Sequence, residues 1–419
     1  MISARISGLT EPAPDGPAAS GRKLRSRPDF VSDTCFQAAV QEMEAIGLRV
    51  QLQPHAGSKP YGVLSGRTSS RFFLLPARPR AVSAASLALV QPVRFAPRVA
   101  KGLVTVGARL GLTNFVLSRK VHISGSSDFV RRVDCGASDS AFLTGTPGPH
   151  RKLSVQLMDD TGQIKGYAKV SLAPAVHLLL THEADMLRML GAIHLSSARI
   201  PHVLLHEMRA GVAVLATDTV RTADARCLSH LHLLHLDFLE ELAARTASGW
   251  ARCGESLLVD WTAQIQRIAS HLSLPWRQRF DRALKVLAAK PQLITSKGLA
   301  HGDFTPVNLF RQGSRLCVFD WEYAGDGYPV DYDLICFLDA VARLGGKRSA
   351  ALANTLQQRL QGLGRSRAEA NRRLIAFFCV YALRSASRQP VLAGQVADWG
   401  SADHEAHALD SLLDRACES

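Results

Sequence analysis

The segment from residue 301 to residue 322 holds the side chains whose types and spacing are best suited to chemistry. Asp303 and Asn308 lie five residues apart, and Asp320 follows Asn308 by twelve. Two carboxylates and one amide of this kind can orient a hydroxyl group and hold Mg²⁺ against the phosphates of a nucleotide. Because apolar residues lead directly into Asp320, we expect it at the end of a short buried strand, where a rigid backbone would hold a metal ligand.

The same residues carry a resemblance to a known family. His301-Gly302-Asp303 with Asn308, followed by Asp320-Trp321-Glu322, resembles the aminoglycoside phosphotransferase and choline kinase superfamily, whose members have the protein-kinase-like fold. The resemblance implies that Asp303 is the catalytic residue that orients the substrate hydroxyl, and that Asn308 and Asp320 bind the metal. Glycine at 302 and Trp-Glu at 321–322 depart from protein kinases, which favours a small-molecule kinase.

Two further residues of the motif complete the catalytic loop. His301 belongs to the catalytic set, where we expect it to brace the loop rather than to transfer protons. The segment from Gly327 to Leu334 resembles the family's Gly-x-Pro and Asp-Leu segment, which implies that Asp333 braces the same loop. The resemblance covers about residues 138 to 395.

A kinase interpretation requires three elements upstream of this loop: a glycine turn between strands, a lysine on a strand and a glutamate on the next helix. Gly145, Thr146 and Gly148 lie in a turn whose glycines would let backbone N–H groups approach phosphate oxygens. Lys169, in a strand from residue 164 to 170, is the predicted phosphate contact. Glu183, in a helical pattern, is its predicted partner, with Asp185 as a competitor.

The apolar run from residue 211 to 218 predicts a strand that leads into a hinge for adenine. On order along the chain alone, Leu215 and Thr217 are the predicted nucleotide contacts there. With the residues above, they define a site for ATP and Mg²⁺.

Composition favours a cytoplasmic enzyme of two to three domains. The chain has 419 residues, of which 47% are apolar, so it can bury a large core. No uncharged apolar run reaches the roughly 18 residues that span a bilayer, and the N-terminus shows no signal peptide. The eight cysteines form no Cys-x-x-Cys pair, which argues against zinc and against a disulfide framework.

Positive charge is concentrated near the N-terminus. Residues 1–120 contain 17 basic and 6 acidic residues, a net charge of +11 out of +14 for the whole chain. No acidic residue occurs between Glu44 and Asp128, whereas twelve basic residues do. Such a stretch would attract an anionic partner, and a helix from residue 98 to 112 at a membrane surface is one interpretation. A solvated accessory surface is the other, and nucleic acid is not expected because basic and aromatic residues do not alternate.

These observations predict an α+β, two-lobed protein-kinase-like fold with an extra basic N-terminal subdomain. The predicted parts are a disordered tail (1–25), the accessory subdomain (26–125), a sheet-containing N-lobe (126–219) and a helical C-lobe (220–419). The predicted activity is transfer of the γ-phosphoryl group of ATP to a hydroxyl of a small molecule, sugar or glycolipid. A catalytically silent binding module and a protein kinase are the alternatives. The predicted location is cytoplasmic, with a peripheral position on the inner membrane face left open.

Overall fold

A computed structural model of the chain describes residues 30–65, 70–90, 95–112, 117, 119–125, 127–220, 225–346, 349–388 and 402–417. The predicted tail, residues 1–25, lies outside these ranges. The chain forms two compact units. The first contains residues up to 188 together with 201–220, and the second contains residues 189–200 together with those from 221 onward.

The first unit is built on a nine-stranded antiparallel sheet. Its strands are β1 (Arg49–Gln51), β2 (Lys59–Ser65), β3 (Phe72–Pro76), β4 (Lys120–Ser124), β5 (Asp139–Leu143), β6 (Leu153–Met158), β7 (Ile164–Ser171), β9 (Val203–Arg209) and β10 (Val212–Asp218). They lie side by side in the order β1-β4-β2-β3-β5-β6-β7-β10-β9. The two-residue strand β8 (Ala198–Arg199) belongs to the second unit.

The helices of this unit are α1 (Thr34–Ala45), α2 (Arg80–Ser86), α3 (Phe95–Arg109), α4 (Ser127–Val133) and, up to residue 188, α5 (Pro174–Ile193). α1 shows why they form where they do. The Asp33 carboxylate accepts the N–H of Cys35 at 2.9 Å and so caps the first turn. Phe36, Ala39 and Met43, spaced by three and four residues, then pack into the core of the sheet.

The basic N-terminal region is part of this sheet. β3 pairs with β5 through Phe73 opposite Leu143 and Leu74 opposite Phe142. The four strands that come from residues 49–124 therefore share one hydrogen-bonded sheet with the strands that follow them. The domain boundary at residue 125 stays a prediction.

The second unit is mostly helical. Its helices are α6 (Leu233–Trp250), α7 (Gly254–Ile268), α8 (Leu274–Ala288), α9 (Tyr332–Leu344), α10 (Ser349–Gly362), α11 (Arg367–Arg388) and α12 (Ala402–Cys417). A small sheet joins β11 (Leu309–Gln312), β12 (Arg315–Val318) and β8 (Ala198–Arg199). Buried side chains of α8 to α12 form one hydrophobic core. The α+β class, with an antiparallel sheet followed by a helical part, is confirmed.

Within the described ranges, no helix combines the length and the apolar character that crossing a bilayer requires.

Candidate active site

The loop with the predicted catalytic residues is anchored by a hairpin. β11 and β12 pair in antiparallel register, with Leu309 opposite Val318. The pairing continues one step further, where the Phe319 N–H donates to the Asn308 carbonyl at 3.3 Å. Asn308 and Asp320 therefore lie at the same end of the hairpin, although twelve residues separate them along the chain.

The Asn308 side chain holds Asp303 in place. Its Nδ2 donates to Oδ2 of Asp303 at 2.8 Å and to the backbone carbonyl of Asp303 at 3.0 Å. Both bonds use the amide nitrogen, so the amide oxygen is the atom of Asn308 that can face a cation. The structure thus brings Asp303 and Asn308 into direct contact.

Asp333 fixes the start of the loop. It lies in the first turn of α9 and accepts the N–H of His301 at 2.6 Å and the N–H of Gly302 at 3.0 Å. Burial raises the pKa of Asp333 to about 6, although these two N–H bonds act in the opposite direction. The structure thus confirms that Asp333 contacts the catalytic loop, as the sequence predicted.

Position 302 requires glycine. Its φ is +80°, in the left-handed region that other residues rarely adopt. A β-carbon there would also overlap the hydroxyl of Tyr328 and the carbonyl of Tyr323. The Tyr328 hydroxyl donates to that carbonyl at 2.6 Å. This hydrogen bond holds the two groups that pack against Gly302 in place.

His301 is fully buried, and backbone groups engage both of its ring nitrogens. Nδ1 accepts the Asp303 N–H at 3.2 Å, which leaves the proton on Nε2 to be donated to the Phe319 carbonyl at 3.1 Å. The ring thereby links the Asp303 backbone to the residue before Asp320. This is the geometry of a positioning residue.

Asp320 adopts a left-handed backbone conformation. Its φ is +70°, although it is not glycine. Left-handed backbone at such residues costs free energy and is concentrated at functional positions. The strain is consistent with a side chain that must point in one direction.

The electrostatics of the loop fit a divalent cation. Burial, the negative charge of Asp320 and, more weakly, that of Glu322 together raise the pKa of Asp303 to about 7, although the Asn308 hydrogen bond and the charge of Arg388 act in the opposite direction. A bound cation would offset this excess of negative charge. Carboxylate and amide oxygens are the ligands that Mg²⁺ prefers, so the residues present fit a magnesium ion.

Two arginines of α11 were missed by the sequence reasoning. The Arg388 guanidinium lies 3.6 Å from the ring centroid of Tyr323, and that of Arg384 lies 3.7 Å from the ring centroid of Tyr328. Two arginines four residues apart, directly after the apolar stretch 374–383 of the helix, were the available signal. Arg388 matters to the site because its charge lowers the pKa of Asp303.

In the first unit, Lys169 and Glu183 form an ion pair. Nζ of Lys169, on β7, lies 2.6 Å from both carboxylate oxygens of Glu183, on α5. Glu183 is buried, and Lys169 remains 21% exposed. Asp185, the competitor, is exposed and pairs instead with Arg188 at 3.0 Å. The pairing predicted from the sequence is therefore present.

The predicted glycine turn connects β5 to β6. Gly145 has φ +84°, and a β-carbon there would overlap the carbonyl of Lys152. Gly148 has φ +147°, and nothing lies within 4 Å of the place where its β-carbon would be. Thr146 lies between them, outside any strand. The turn has the backbone shape that only glycine supplies easily, and its contact with phosphate stays a prediction.

The predicted hinge residues belong to a central strand. Leu215 lies opposite Lys169 on one side and His206 on the other, and Thr217 lies opposite Tyr167 and Val203. The backbone groups of Leu215 thus serve the sheet and cannot be offered to a base. The contact of Thr217 with a nucleotide stays a prediction.

Comparison with known protein families matched residues 136–372 to the family model described as "Phosphotransferase enzyme family". A search of curated protein sequences gave no match. Three solved structures that are similar to this chain are the following. Aminoglycoside phosphotransferase APH(4)-Ia, a thermostable mutant with ADP and hygromycin B, has 14% identity, covers 70% of this chain and 99% of its own, and has a TM-score of 0.47. Amicoumacin kinase hAmiN has 14% identity, covers 69% and 94%, and has a TM-score of 0.38. Choline kinase LicA from Streptococcus pneumoniae has 13% identity, covers 62% and 89%, and has a TM-score of 0.37.

The family match includes β5 to β7, the Lys169–Glu183 pair and the whole loop from His301 to Asp333. It spans more than half of the 419 residues. The chain belongs to the phosphotransferase enzyme family.

Proposed function

We propose that this chain is a kinase that transfers the γ-phosphoryl group of ATP to a hydroxyl group of a small molecule or glycan, with Mg²⁺. The observation that carries the proposal is the contact between Asp303 and Asn308 in a loop braced by Asp333. A loop held in this way can present one carboxylate to a hydroxyl while an amide oxygen and a second carboxylate face a metal.

We assign to Asp303 the contact with the acceptor hydroxyl. With Oδ2 held by Asn308, its carboxyl group can orient the acceptor hydroxyl and take its proton late in the transfer. Asn308 and Asp320 would hold the metal. A bound magnesium ion supplies positive charge against the phosphate oxygens. Fixed geometry and electrostatics, rather than covalent chemistry, then account for most of the rate acceleration.

Lys169 is assigned to the phosphates of ATP. Its ammonium group keeps a fixed position because Glu183 holds it with both oxygens, while part of the side chain stays accessible. The glycine turn at 145–148 is proposed to contribute backbone N–H groups to the same nucleotide. Pro147 and Pro149 lack N–H groups, so this turn would make few such contacts.

We propose the acceptor class from the charge of the chain and not from individual members of the family. Solved structures with similar coordinates contain hygromycin B or amicoumacin, and we carry neither compound over to this chain. A neutral or anionic hydroxyl compound is our preferred acceptor because the N-terminal 120 residues carry a net charge of +11. We propose a cytoplasmic location, and a contact with an anionic surface is argued separately below.

The test is phosphate release from Mg-ATP by the purified full chain, with and without a library of hydroxyl compounds read by mass spectrometry. We expect acceptor-dependent phosphate release and a product that has gained one phosphoryl group. Binding of Mg-ATP without any turnover would favour a silent binding module. Turnover only with protein substrates would favour a protein kinase.

A further inference from the structure

Helix α3 turns an apolar stripe toward solvent. Val99, Leu103 and Val106 on the helix, and Leu110 directly after it, are spaced by four, three and four residues and therefore share one face. Leu103 is 70% exposed and Leu110 is 62% exposed. Single exposed leucines are normal on protein surfaces, but four large apolar side chains along one helical face indicate a surface that binds a partner.

The opposite face of α3 already has a partner. Ala108 is buried, and Val104 packs against the same cluster, which includes residues of β3 and α2. The helix is thus fixed to the first unit through that side. The outward stripe is a second face that the rest of the described chain does not cover.

The surroundings of the stripe are basic. Arg80 and Arg109 are exposed. The Arg80 guanidinium lies against Gly111, immediately after the helix, where a β-carbon would come within 2.7 Å of Nε. The stretch from residue 45 to 127 contains twelve basic residues and no carboxylate. An apolar stripe with a basic edge has the charge and shape that complement an anionic lipid surface.

The geometry points to a membrane-surface contact: we infer that α3 docks on an anionic lipid bilayer, with its apolar stripe at the boundary of headgroups and acyl chains. Fifteen residues of helix are about 22 Å long, too short to span a bilayer, so the helix would lie in the surface plane. The inference does not depend on the proposed phosphoryl transfer.

A second copy of the chain is the other occupant to consider. A symmetric dimer would bring each stripe against itself, and with it Arg80 and Arg109 of both copies. Residues 45–127 contain no carboxylate, and Asp159, whose turn packs against Ala81 beside Arg80, is engaged by Lys165 at 3.2 Å. Charge complementarity therefore favours lipid.

The experiment is vesicle flotation with the full chain, comparing neutral phosphatidylcholine vesicles with vesicles that also contain phosphatidylglycerol. We expect binding only to the anionic vesicles, weakened by added salt. The double substitution Leu103→Glu with Val106→Glu should lower the bound fraction at least tenfold. The matched control is Leu178→Glu, because Leu178 is an apolar residue on α5, outside the stripe, with 75% exposure; this variant should bind the vesicles as the wild type does.

Leu103→Ser with Val106→Ser removes the stripe without adding charge and should also abolish binding, which separates lost insertion from repulsion. Circular dichroism of every variant checks that it is folded. The inference is wrong if the folded wild type does not float with anionic vesicles, or if both double variants float as well as Leu178→Glu. Light scattering that shows a dimer dissolved by the Leu103 and Val106 substitutions would assign the stripe to a second copy.

Discussion

The ammonium group of Lys169 lies 2.6 Å from both carboxylate oxygens of the buried Glu183, so that a strand and the helix that follows it hold one positive charge in place. Lys169→Met should leave the fold intact and lower kcat/KM for ATP by about 100-fold, or about 2.7 kcal/mol, the typical loss for one fixed electrostatic contact. Steady-state kinetics at varied ATP measures it.

The matched control is Lys165→Met on the same strand, because Lys165 pairs with Asp159 at the hairpin end. Its kinetics should stay near those of the wild type. Equal losses for the two lysines would remove the assignment of Lys169 to phosphate.

Asp320 is the residue through which metal dependence is tested. Asp320→Ala should raise the half-saturating Mg²⁺ concentration at least about tenfold, because a carboxylate ligand is lost. Titration of Mg²⁺ at fixed ATP measures the change. Asp326→Ala is the control, since that carboxylate pairs with Arg252 at 2.9 Å. An unchanged Mg²⁺ requirement in Asp320→Ala would show that Asp320 is not a ligand.

Gly302 and Gly313 form a matched pair of left-handed glycines in the second unit. Their φ values are +80° and +58°, but a β-carbon at 302 would overlap Tyr328 and Tyr323, whereas nothing lies within 4 Å of one at 313. Gly313→Ala should cost about 1 kcal/mol of stability from backbone strain alone. Gly302→Ala should cost several kcal/mol or displace the loop, with turnover lost. Thermal unfolding and kinetics of both variants measure this, and equal effects would contradict the tight packing at 302.

The burial of His235 predicts that the protein loses stability at acid pH. The ring is fully buried, 4.4 Å from the centroid of Phe337, and Nδ1 accepts the His232 N–H at 2.9 Å. Burial, and then the charge of His232, lowers the pKa of His235 from 6.5 to about 4. The folded state therefore binds the proton less well than the unfolded state does. The resulting stability is complete above pH 6.5 and is lost as pH falls toward 4, by about 3 kcal/mol in total.

The measurement is the free energy of unfolding at several pH values between 4 and 7, a range set by the two pKa values. His235→Asn should be less stable at neutral pH but should lose less stability on acidification. His194→Asn, at an exposed position outside this cluster of histidines, should keep the slope of the wild type. A wild-type slope that survives in His235→Asn would assign the acid sensitivity to other groups.

Local patterns explain what the sequence could predict. The apolar residues before Asp320, the alternation through Lys169 and the helical spacing after residue 220 each reflect neighbours a few positions apart, and the structure has strands and helices there. The same holds for the contact between Lys169 and Glu183, because a short strand-to-helix connection limits how far apart they can lie.

Contacts between segments that are distant along the chain could not be predicted from the sequence. Leu215 was predicted as a hinge residue from order along the chain alone, but its strand lies between β7 and β9 and is paired on both sides. The proximity of Arg388 to Tyr323 depends in the same way on how α11 packs. Single-sequence patterns give the strands and helices but not which of them become neighbours.

The most direct test is turnover by Asp303→Asn, compared with Asp185→Asn at an exposed helix position. The variant keeps the size of the side chain and removes its charge. Turnover with Mg-ATP and an acceptor should fall by a factor on the order of 10³ or more, because the acceptor hydroxyl loses its base. Nucleotide affinity, measured by calorimetry, should stay within about threefold, since the phosphate contacts are assigned to other residues. Turnover within tenfold of the wild type would contradict the catalytic assignment of Asp303.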